Sequence, residues 1–333
     1  MTVVTGVSVC IPTHRRPDLL VQCVRSAFRS ACRPLEVVVS DDAPGAGARE
    51  ALAAVVVPRG ITLRYVENLS APGQAGNVMN AFRAATMDHV VLMHDDDLFV
   101  EGGIDALVDA WNAQRDEVDA VYGFQYVADS YGAIVSNQTT RNNNSYFRNV
   151  TYLGLQSSNL WAALVAQFPN NGFLIRRTLA LQAGYPDEGE VGRAPVDYHF
   201  GVRYAQLSTQ PFLLIPEYVS VYRRSAESVA RSPKSVRSMF SRRTRDGHLG
   251  WKALREIEPA CSLDEDGLRL AKERAAPAAV EGYLAIGERR EAVKILRRYA
   301  RSLKRGPRWW MKIALQFALA SMPSFARPRS VDL

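Results

Sequence analysis

An acidic cluster follows the apolar run at 89–93 and is the part of the sequence best suited to chemistry. The carboxylates of Asp95, Asp96 and Asp97 come directly after His94. Adjacent carboxylates are costly to bury without a cation, whereas clustered oxygen ligands suit Mg2+ or Mn2+ carrying a diphosphate. The cluster therefore predicts a divalent metal site, and an acidic turn that caps the next helix is the alternative.

Strand and helix patterns alternate around this cluster. Apolar runs and helical spacing predict strands at 7–11, 35–40, 61–66 and 89–93 and helices at 17–29 and 77–85. Such alternation predicts a parallel sheet with right-handed crossovers, whose ligand site lies beyond the carboxyl ends of the strands. Pro12-Thr13, Asp41-Asp42 and the acidic cluster each follow a predicted strand, so we expect them to meet at one edge of the sheet.

The order and spacing of these segments resemble the family 2 glycosyltransferases, which use nucleoside-diphosphate sugars and have the GT-A fold. The resemblance covers about residues 5–230, and the segments that carry it are VSVCIPTHRRPDLL (7–20), LEVVVSDDAP (35–44), GQAGNVMNAFRAA (73–85), HDDDLF (94–99), NNGFLIRRTLALQAGYPDE (170–188) and VDYHFGVRYA (196–205). It implies an α/β fold: a Rossmann-like, mainly parallel nucleotide-binding sheet of GT-A type with helices on both faces. The implied domains are a catalytic domain at 1–230, with a nucleotide-sugar-binding half at 1–100 and an acceptor-binding half at 101–230, and a helical C-terminal extension with a basic amphipathic tail at 231–333.

The resemblance also implies roles for single residues. The loops after the first and second strands would hold the base and ribose, and the candidate nucleotide-sugar ligands there are Pro12, Thr13, Asp41 and Asp42, with Arg15 in the same loop. The acidic cluster would hold the metal on the diphosphate, and Asp95 would also contact the nucleotide sugar. Alignment on Asp97-Leu98 favours Asp96 as the direct metal ligand, whereas a literal Asp-x-Asp pattern favours Asp95 with Asp97, so all three remain candidates.

The chemistry of sugar transfer explains why these groups are needed. Transfer passes through an oxocarbenium-like state while negative charge builds on the departing diphosphate, and Mn2+ or Mg2+ would stabilise that charge. The resemblance makes Asp197 the general base, because Val196-Asp197-Tyr198 precedes a helix that carries Arg203. One base on the face opposite the leaving group predicts inversion. Val196 stands where the family usually has a glutamate, and a helix-capping role is the alternative for Asp197.

Two further segments are expected near the site. Arg223 and Arg224 follow a strand-like segment at 212–221, where relatives often have a histidine or another basic residue, and they could hold the phosphates as fixed charges. Solvated surface arginines are the equal alternative. The stretch at 136–159 is rich in Asn, Ser and Thr and poor in aliphatic residues, which predicts a long surface loop over the site.

Composition favours a cytoplasmic enzyme, with the inner face of the membrane as a second location. The 333 residues, 47% of them hydrophobic, can bury one large core and leave room for an appended segment. The four cysteines have no C-x-x-C spacing and we find no signal peptide, which favours a reducing compartment over zinc or a disulfide framework.

Charge is concentrated near the C-terminus. Residues 285–329 contain 12 Lys and Arg against 2 Glu, an excess of 12 − 2 = +10, whereas the whole chain has 41 − 34 = +7. A basic tail on an acidic body argues against a nucleic-acid partner. Trp309-Trp310 precede a nearly apolar segment at 313–322 that is too short to span a bilayer. It predicts either an interfacial helix on an anionic membrane, flanked by Arg305, Arg308 and Arg327, or a helix docked on the catalytic domain or in a dimer interface, and the oligomeric state stays open.

The sequence favours one of four classes of function. An inverting, metal-dependent glycosyltransferase is favoured. UDP is the commonest donor nucleotide of the family. The acceptor would be a hydroxyl group in glycan, lipid-linked saccharide or cell-surface polysaccharide synthesis. A small secondary metabolite is the alternative acceptor. Other nucleotide enzymes would need a glycine-rich loop where the sequence has Pro12-Thr13-His14. A non-catalytic nucleotide-sugar-binding relative would lack the acidic cluster or the base, and the same residues argue against a purely structural membrane protein.

Overall fold

A computed structural model describes residues 4–129, 131–186, 196–224, 247–258, 264–300 and 306–320. Within these ranges the chain forms two compact units. The first unit contains the described residues up to 186 and those from 197 to 224, and the second contains those from 247 onward. The domain limit proposed from the sequence, at 230, lies outside the described residues.

The first four strands of the first unit are parallel, as the sequence predicts. They are β1 (Val7–Thr13), β2 (Leu35–Asp41), β3 (Ile61–Glu67) and β4 (His89–Leu92), joined by helices α1 (Pro17–Ala27), α2 (Ala48–Ala53) and α3 (Gln74–Ala84). Every residue of β1, β2 and β4 is buried. Strands covered on both faces have continuous apolar sequences, which explains why the runs were recognisable.

The remaining strands extend this sheet and mix its directions. They are β5 (Leu98–Phe99), β6 (Ala120–Ala128), β7 (Gly154–Leu155), β8 (Phe173–Arg176) and β9 (Phe212–Arg223). The sheet order is β3-β2-β1-β4-β8-β6-β9-β5, and β7 pairs with β9. Strands β6 and β9 are parallel, so the antiparallel pairings all involve β5, β7 or β8. The predicted α/β fold class is therefore confirmed.

Helices cover both faces of the sheet. Val121 and Tyr122 are successive residues of β6 and point to opposite faces. Val121 belongs to an aliphatic core whose helical members come from α1, α2 and α4 (Gly103–Ala113), with Trp111 fully buried. Tyr122 belongs to an aromatic cluster with Phe168 and Phe212, to which α8 (Val196–Leu207) contributes further rings.

The prediction of a long loop at 136–159 is wrong. This segment contains helix α5 (Ser136–Ser145), a short 3-10 turn and strand β7, and it ends at the start of α6 (Asn159–Leu164); α7 (Arg177–Ala183) follows β8. Helix α5 forms without aliphatic residues because its polar side chains bind the backbone of β6. Asn143 accepts from the backbone N–H of Gln125 and donates to its carbonyl, and Thr139 accepts from the N–H of Val127. Side-chain hydrogen bonds thus replace apolar packing on this helix.

The second unit is helical in its described ranges. Its helices are α9 (Gly247–Ile257), α10 (Glu265–Ala285), α11 (Arg289–Tyr299) and α12 (Pro307–Ala320). Gly287, at a φ of +88°, turns the chain between α10 and α11, where the sequence predicts a turn. A core that includes Trp251, Val280, Tyr283, Ile295 and Ile313 joins the four helices.

Helix α12 contains the described part of the tryptophan-containing tail and packs against α10. Glu281 of α10 accepts hydrogen bonds from Trp309 Nε1 at 2.7 Å and from Lys312 Nζ at 2.6 Å, and Ile313 is buried. This face of α12 is therefore docked on another helix of the second unit, whereas the sequence predicts the catalytic domain or a dimer interface as the docking partner. Trp310 and Met311 stay exposed. Arg305 and Arg327 lie outside the described residues, and so does the side chain of Arg308.

None of the described helices combines the length and the apolar character needed to cross a bilayer.

Candidate active site

The carboxyl ends of β1, β2 and β4 meet at one edge of the sheet, as expected for parallel strands. Thr13, the last residue of β1, donates a hydrogen bond from Oγ1 to Asp95 Oδ2 at 2.7 Å. Pro12 is buried next to it within β1. The backbone N–H of Asp42 donates to the carbonyl of Thr13 at 3.0 Å. The structure thus brings the three polar segments together.

The two aspartates after β2 have different surroundings. Asp41 is fully buried, and its carboxylate accepts from the Tyr65 hydroxyl at 2.8 Å and from the backbone of Ala43. The Asp42 carboxylate instead reaches the loop before α3, where it accepts from Asn68 Nδ2 at 2.7 Å and from the Gly73 N–H at 2.9 Å. Asp42 keeps some exposure, so it is the better placed of the two to meet a ligand.

The three carboxylates of the acidic cluster do not all face the same way. The Asp95 carboxylate turns toward the loop after β1, where it lies 3.3 Å from Arg16 Nη1 and accepts from Thr13. Asp96 Oδ2 binds the same Arg16 nitrogen at 2.5 Å. A guanidinium between two carboxylates offsets their mutual repulsion, because neighbouring like charges disfavour ionisation. Burial raises the pKa of Asp95, and the charge of Arg16 is the largest influence that opposes this rise.

Asp97 faces the opposite side and is 1% exposed. Its Oδ2 accepts from Asn171 Nδ2 at 2.6 Å, and its Oδ1 accepts from the backbone N–H of Arg223 at 2.8 Å. Burial, followed by the charge of Asp96, raises the pKa of Asp97 to about 7. An aspartate with that pKa is one that a nearby cation would fully ionise.

Three neighbouring side chains could hold a metal ion. Among the described residues, His94, Asp96 and Asp97 each place one possible ligand atom within 4.8 Å of the others. One imidazole nitrogen with two carboxylate oxygens is a donor set suited to Mn2+ and acceptable to Mg2+. His94 Nε2 is buried without a hydrogen-bond partner in the described part of the chain, which fits a position for a ligand. The donor set includes His94 and leaves the Asp95 carboxylate outside.

Asp197 lies in the first turn of α8 and faces the same site. Its Oδ2 accepts from Gln74 Nε2 of α3 at 2.8 Å, and its Oδ1 lies 3.7 Å from His94 Nε2. Burial lowers the pKa of His94, but the charge of Asp197 and those of Asp96 and Asp97 outweigh it and raise that pKa to about 9. The candidate base thus lies beside the candidate metal ligands.

The predicted arginines differ in placement. Arg223 is buried and braces the acidic turn, with Nε donating to the carbonyl of Asp96, Nη2 to that of Asp95 at 3.4 Å and Nη1 to Gln22 Oε1 at 2.6 Å. Arg224 is exposed and donates to Gln138 of α5. Arg15 is exposed with a φ of +56°. The guanidinium of Arg223 therefore donates its hydrogen bonds to other residues of the protein, whereas those of Arg224 and Arg15 lie toward solvent.

Several residues at the site had no role assigned from the sequence. Gln74 and Asn171 lie within segments that carry the family resemblance, and that position is the one signal that could have singled them out. Gln22 carries no such signal, because its contact is with Arg223, 201 residues away in the sequence.

Comparison with known proteins gives a match to one family model and a fold. The family model described as Glycosyl transferase family 2 matches residues 8–166. No curated protein matches the sequence.

Solved structures with the same fold include two glycosyltransferases. Residues 1–349 of S. aureus TarS in complex with UDP-GlcNAc align with a TM-score of 0.56 at 13% identity, covering 89% of this chain and 91% of that one. The mannosyltransferase PcManGT from Pyrobaculum calidifontis, in complex with GDP-Man and Mn2+, aligns with a TM-score of 0.55 at 16% identity, covering 95% and 88%. At these identities the likeness establishes the GT-A fold.

Proposed function

From the match of residues 8–166 to the family model described as Glycosyl transferase family 2, we propose an inverting, metal-dependent transfer of a sugar from a nucleoside diphosphate to an acceptor hydroxyl. One observation carries the proposal: the carboxylate of Asp197 lies beside His94, Asp96 and Asp97 at the carboxyl edge of the sheet. A base next to a metal-binding group is the arrangement that a single displacement at an anomeric carbon requires.

The metal would be held by His94, Asp96 and Asp97, and as a Lewis acid it would stabilise the charge on the departing diphosphate. Asp97 keeps its ligand geometry because Asn171 and the Arg223 backbone bind its two oxygens. Arg16 balances the remaining negative charge beside the donor. Asp95 then serves the loop after β1 and has an indirect part in metal binding.

Asp197 would take the acceptor proton. The acceptor oxygen attacks the anomeric carbon on the face opposite the diphosphate, the bond from that carbon to the diphosphate oxygen breaks, and the acceptor proton passes to the carboxylate. Gln74 binds Oδ2, and Oδ1, which lies 3.7 Å from His94 Nε2 and has no hydrogen bond to the described residues, would receive the proton when His94 holds the metal. One displacement inverts the configuration at the anomeric carbon.

The donor nucleotide would lie over the ends of β1 and β2. Pro12, Thr13 and Asp42 line this edge, with Asp41 beneath it and Arg15 at its solvent side. Arg224 lies at the end of β9 beside α5, away from the ends of β1 and β2. TarS is in complex with UDP-GlcNAc and PcManGT with GDP-Man, which supports a nucleoside-diphosphate sugar as donor. UDP is our first choice for the nucleotide.

A thermal-shift panel tests the function. UDP, GDP and dTDP are each added with and without Mn2+, because a ligand that binds the native state raises its melting temperature. We expect one nucleotide, UDP first, to stabilise the protein, and more strongly with Mn2+ than alone. Equal stabilisation by all three nucleotides without any effect of Mn2+ would overturn metal-dependent donor binding. A non-catalytic relative would bind nucleotide with Mn2+ and yet transfer no sugar to any hydroxyl acceptor.

We also propose a cytoplasmic location with contact to an anionic membrane through α12. Trp310, Met311 and Leu315 are 39%, 63% and 41% exposed on the side of α12 away from α10. The surrounding sequence is strongly basic, with the excess of +10 over residues 285–329, which favours anionic lipid over a neutral or acidic partner. Lipid-linked or cell-surface glycan acceptors fit this location better than a small metabolite does.

A further inference from the structure

Arg148 is a buried guanidinium that contacts neutral groups. It is 3% exposed, and its nitrogens donate to Gln125 Oε1 at 2.5 Å, to the carbonyl of Gln167 at 2.8 Å and to the carbonyl of Ala166 at 3.2 Å. No carboxylate forms an ion pair with it in the described ranges. Burial lowers the pKa of Arg148 to about 10. A buried cation without a counterion is costly, so its presence here calls for a role.

A continuous line of buried hydrogen bonds runs from Arg148 to the candidate metal site. Gln125 Nε2 donates to Asn171 Oδ1 at 3.0 Å, and Asn171 Nδ2 donates to Asp97 Oδ2 at 2.6 Å. Gln125, Asn171 and Asp97 are 4%, 0% and 1% exposed. Their mutual hydrogen bonds therefore decide which way each amide points.

The direction of this line follows from the chemistry of its first member. A guanidinium has donors and no acceptor, so Gln125 must turn its oxygen to Arg148 and its nitrogen to Asn171. Asn171 must then turn its oxygen to Gln125 and its nitrogen to Asp97. With a hydrogen-bond acceptor in place of Arg148, Gln125 would turn its nitrogen toward that acceptor and its oxygen toward Asn171 Oδ1. The two oxygens would repel each other, or Asn171 would turn as well and face Asp97 with an oxygen, and either outcome weakens the hydrogen bond to Asp97.

We propose that Arg148 is a positioning residue, which acts through Gln125 and Asn171 to keep the Asp97 carboxylate oriented for metal binding. This inference rests on the proposed function, because it assumes that Asp97 is a metal ligand. Asn171 Nδ2 and the Arg223 N–H each occupy one oxygen of Asp97, which fixes the plane of its carboxylate. A group that orients a metal ligand typically contributes about 10- to 100-fold to metal affinity.

The test is Mn2+ affinity of the full chain without nucleotide, measured from the spin-resonance signal of free Mn2+. Arg148→Gln can accept from Gln125 as well as donate to it, so it no longer imposes one orientation on that amide and should weaken Mn2+ binding about tenfold. Arg148→Lys keeps a donor there and should restore affinity to within about threefold of wild type. A merely structural role would not separate the two variants in this way.

Arg176→Gln is the matched control. Arg176 is another partly buried arginine of the first unit, but it binds Asp116 and Asp119 and the hydrogen-bond line does not include it. This variant should lower the free energy of unfolding and leave Mn2+ affinity unchanged. If Arg148→Gln does not fold, the double variant Gln125→Met with Arg148→Met removes the charge and its partner together, and should show the same loss of Mn2+ affinity.

Two outcomes separate the two proposals. Wild-type protein that binds Mn2+ while Arg148→Gln binds it equally well would overturn the positioning role and leave the proposed function standing. Wild-type protein that does not bind Mn2+ would overturn metal dependence and the positioning role with it.

Discussion

Asp197 is the residue on which the proposed chemistry depends most directly. Asp197→Asn keeps an oxygen that can accept from Gln74, so the variant should fold and bind donor as wild type does. Because an amide cannot take the acceptor proton, we expect transfer to fall about 100-fold or more. Steady-state transfer with separate measurement of donor affinity checks this. A loss of donor affinity with normal turnover per bound donor would contradict the assignment.

His199, in the first two turns of α8, gives a pH prediction independent of catalysis. Burial, then the charge of Arg203, lowers its pKa from 6.5 to about 4 in the folded protein. The unfolded chain therefore binds the extra proton first, and the stability associated with neutral His199 is present above pH 6.5 and is lost as the pH falls toward 4.

Between pH 7.5 and pH 5.5 this group should lower the free energy of unfolding by about 1 kcal/mol. Urea unfolding at the two pH values, compared between wild type and His199→Gln, measures the difference. An equal loss in both proteins would show that the stability change comes from other groups.

At the residue scale, the sequence predicts where the site lies better than which atoms face it. Asp42 and the acidic cluster could be located because parallel strands end at one edge. The division of the cluster could not be predicted. The turn closed by the Asp97 N–H and the His94 carbonyl sends neighbouring side chains in different directions, and Thr13 and Arg16, which capture Asp95, lie about 80 residues away in the sequence.

At the scale of single elements, helix α5 is held to the sheet by side-chain hydrogen bonds, whereas most helices pack through apolar side chains. Asn143 binds both the N–H and the carbonyl of Gln125. Asn143→Ala leaves both backbone groups unpaired, and we expect it to lower the free energy of unfolding by about 2–4 kcal/mol. Asn144→Ala, at an exposed position of the same helix, is the control and should change it by less than about 0.5 kcal/mol. Equal effects in urea unfolding would contradict this account of α5.

The elements with apolar periodicity were predicted from sequence, and α5 was not. Strands β1, β2 and β4 and helix α1 bury apolar side chains. The apolar runs of the strands and the apolar spacing of the helix therefore indicate burial directly. In α5 the buried residues are Thr139 and Asn143, whose partners are backbone groups of β6. A sequence without an apolar stripe gives no sign of such partners.

The exposed face of α12 gives a prediction about membranes. Met311→Glu with Leu315→Glu should abolish sedimentation with phosphatidylglycerol vesicles at low salt and leave sugar transfer unchanged. Apolar insertion and attraction to anionic headgroups act together in such helices, so binding of the wild type should also weaken as salt rises.

The control for α12 places the same charges on the first unit. Val56→Glu with Leu69→Glu alters two side chains that are 88% and 77% exposed, and it should leave vesicle binding unchanged. Wild-type protein that ignores the vesicles at low salt would exclude the membrane role, and self-association through this face would then be examined by sedimentation velocity.

On the scale of the whole molecule, the two units have different properties. The candidate catalytic, metal-binding and nucleotide-binding residues lie in the first unit. The basic excess at 285–329 belongs to the second unit's part of the sequence. This division supports the proposal that the first unit catalyses sugar transfer and that the second unit determines where in the cell the enzyme lies.

Strand β8 has a consequence for the order in which the chain folds. It pairs with β4, although Leu92 and its partner Phe173 are 173 − 92 = 81 residues apart and none of β5, β6 and β7 pairs with β1 to β4. Strand β4 pairs with β1 over a similar separation, but once β2 and β3 have joined β1 only α3 lies between β3 and β4. Closing so long a loop has an entropy cost that slows the step, so we expect β1 to β4 to assemble before β8 enters the sheet. Asn171, which binds Asp97, directly precedes β8. A refolding chain should therefore gain protected amides in β1 and β2 first and become able to bind metal last.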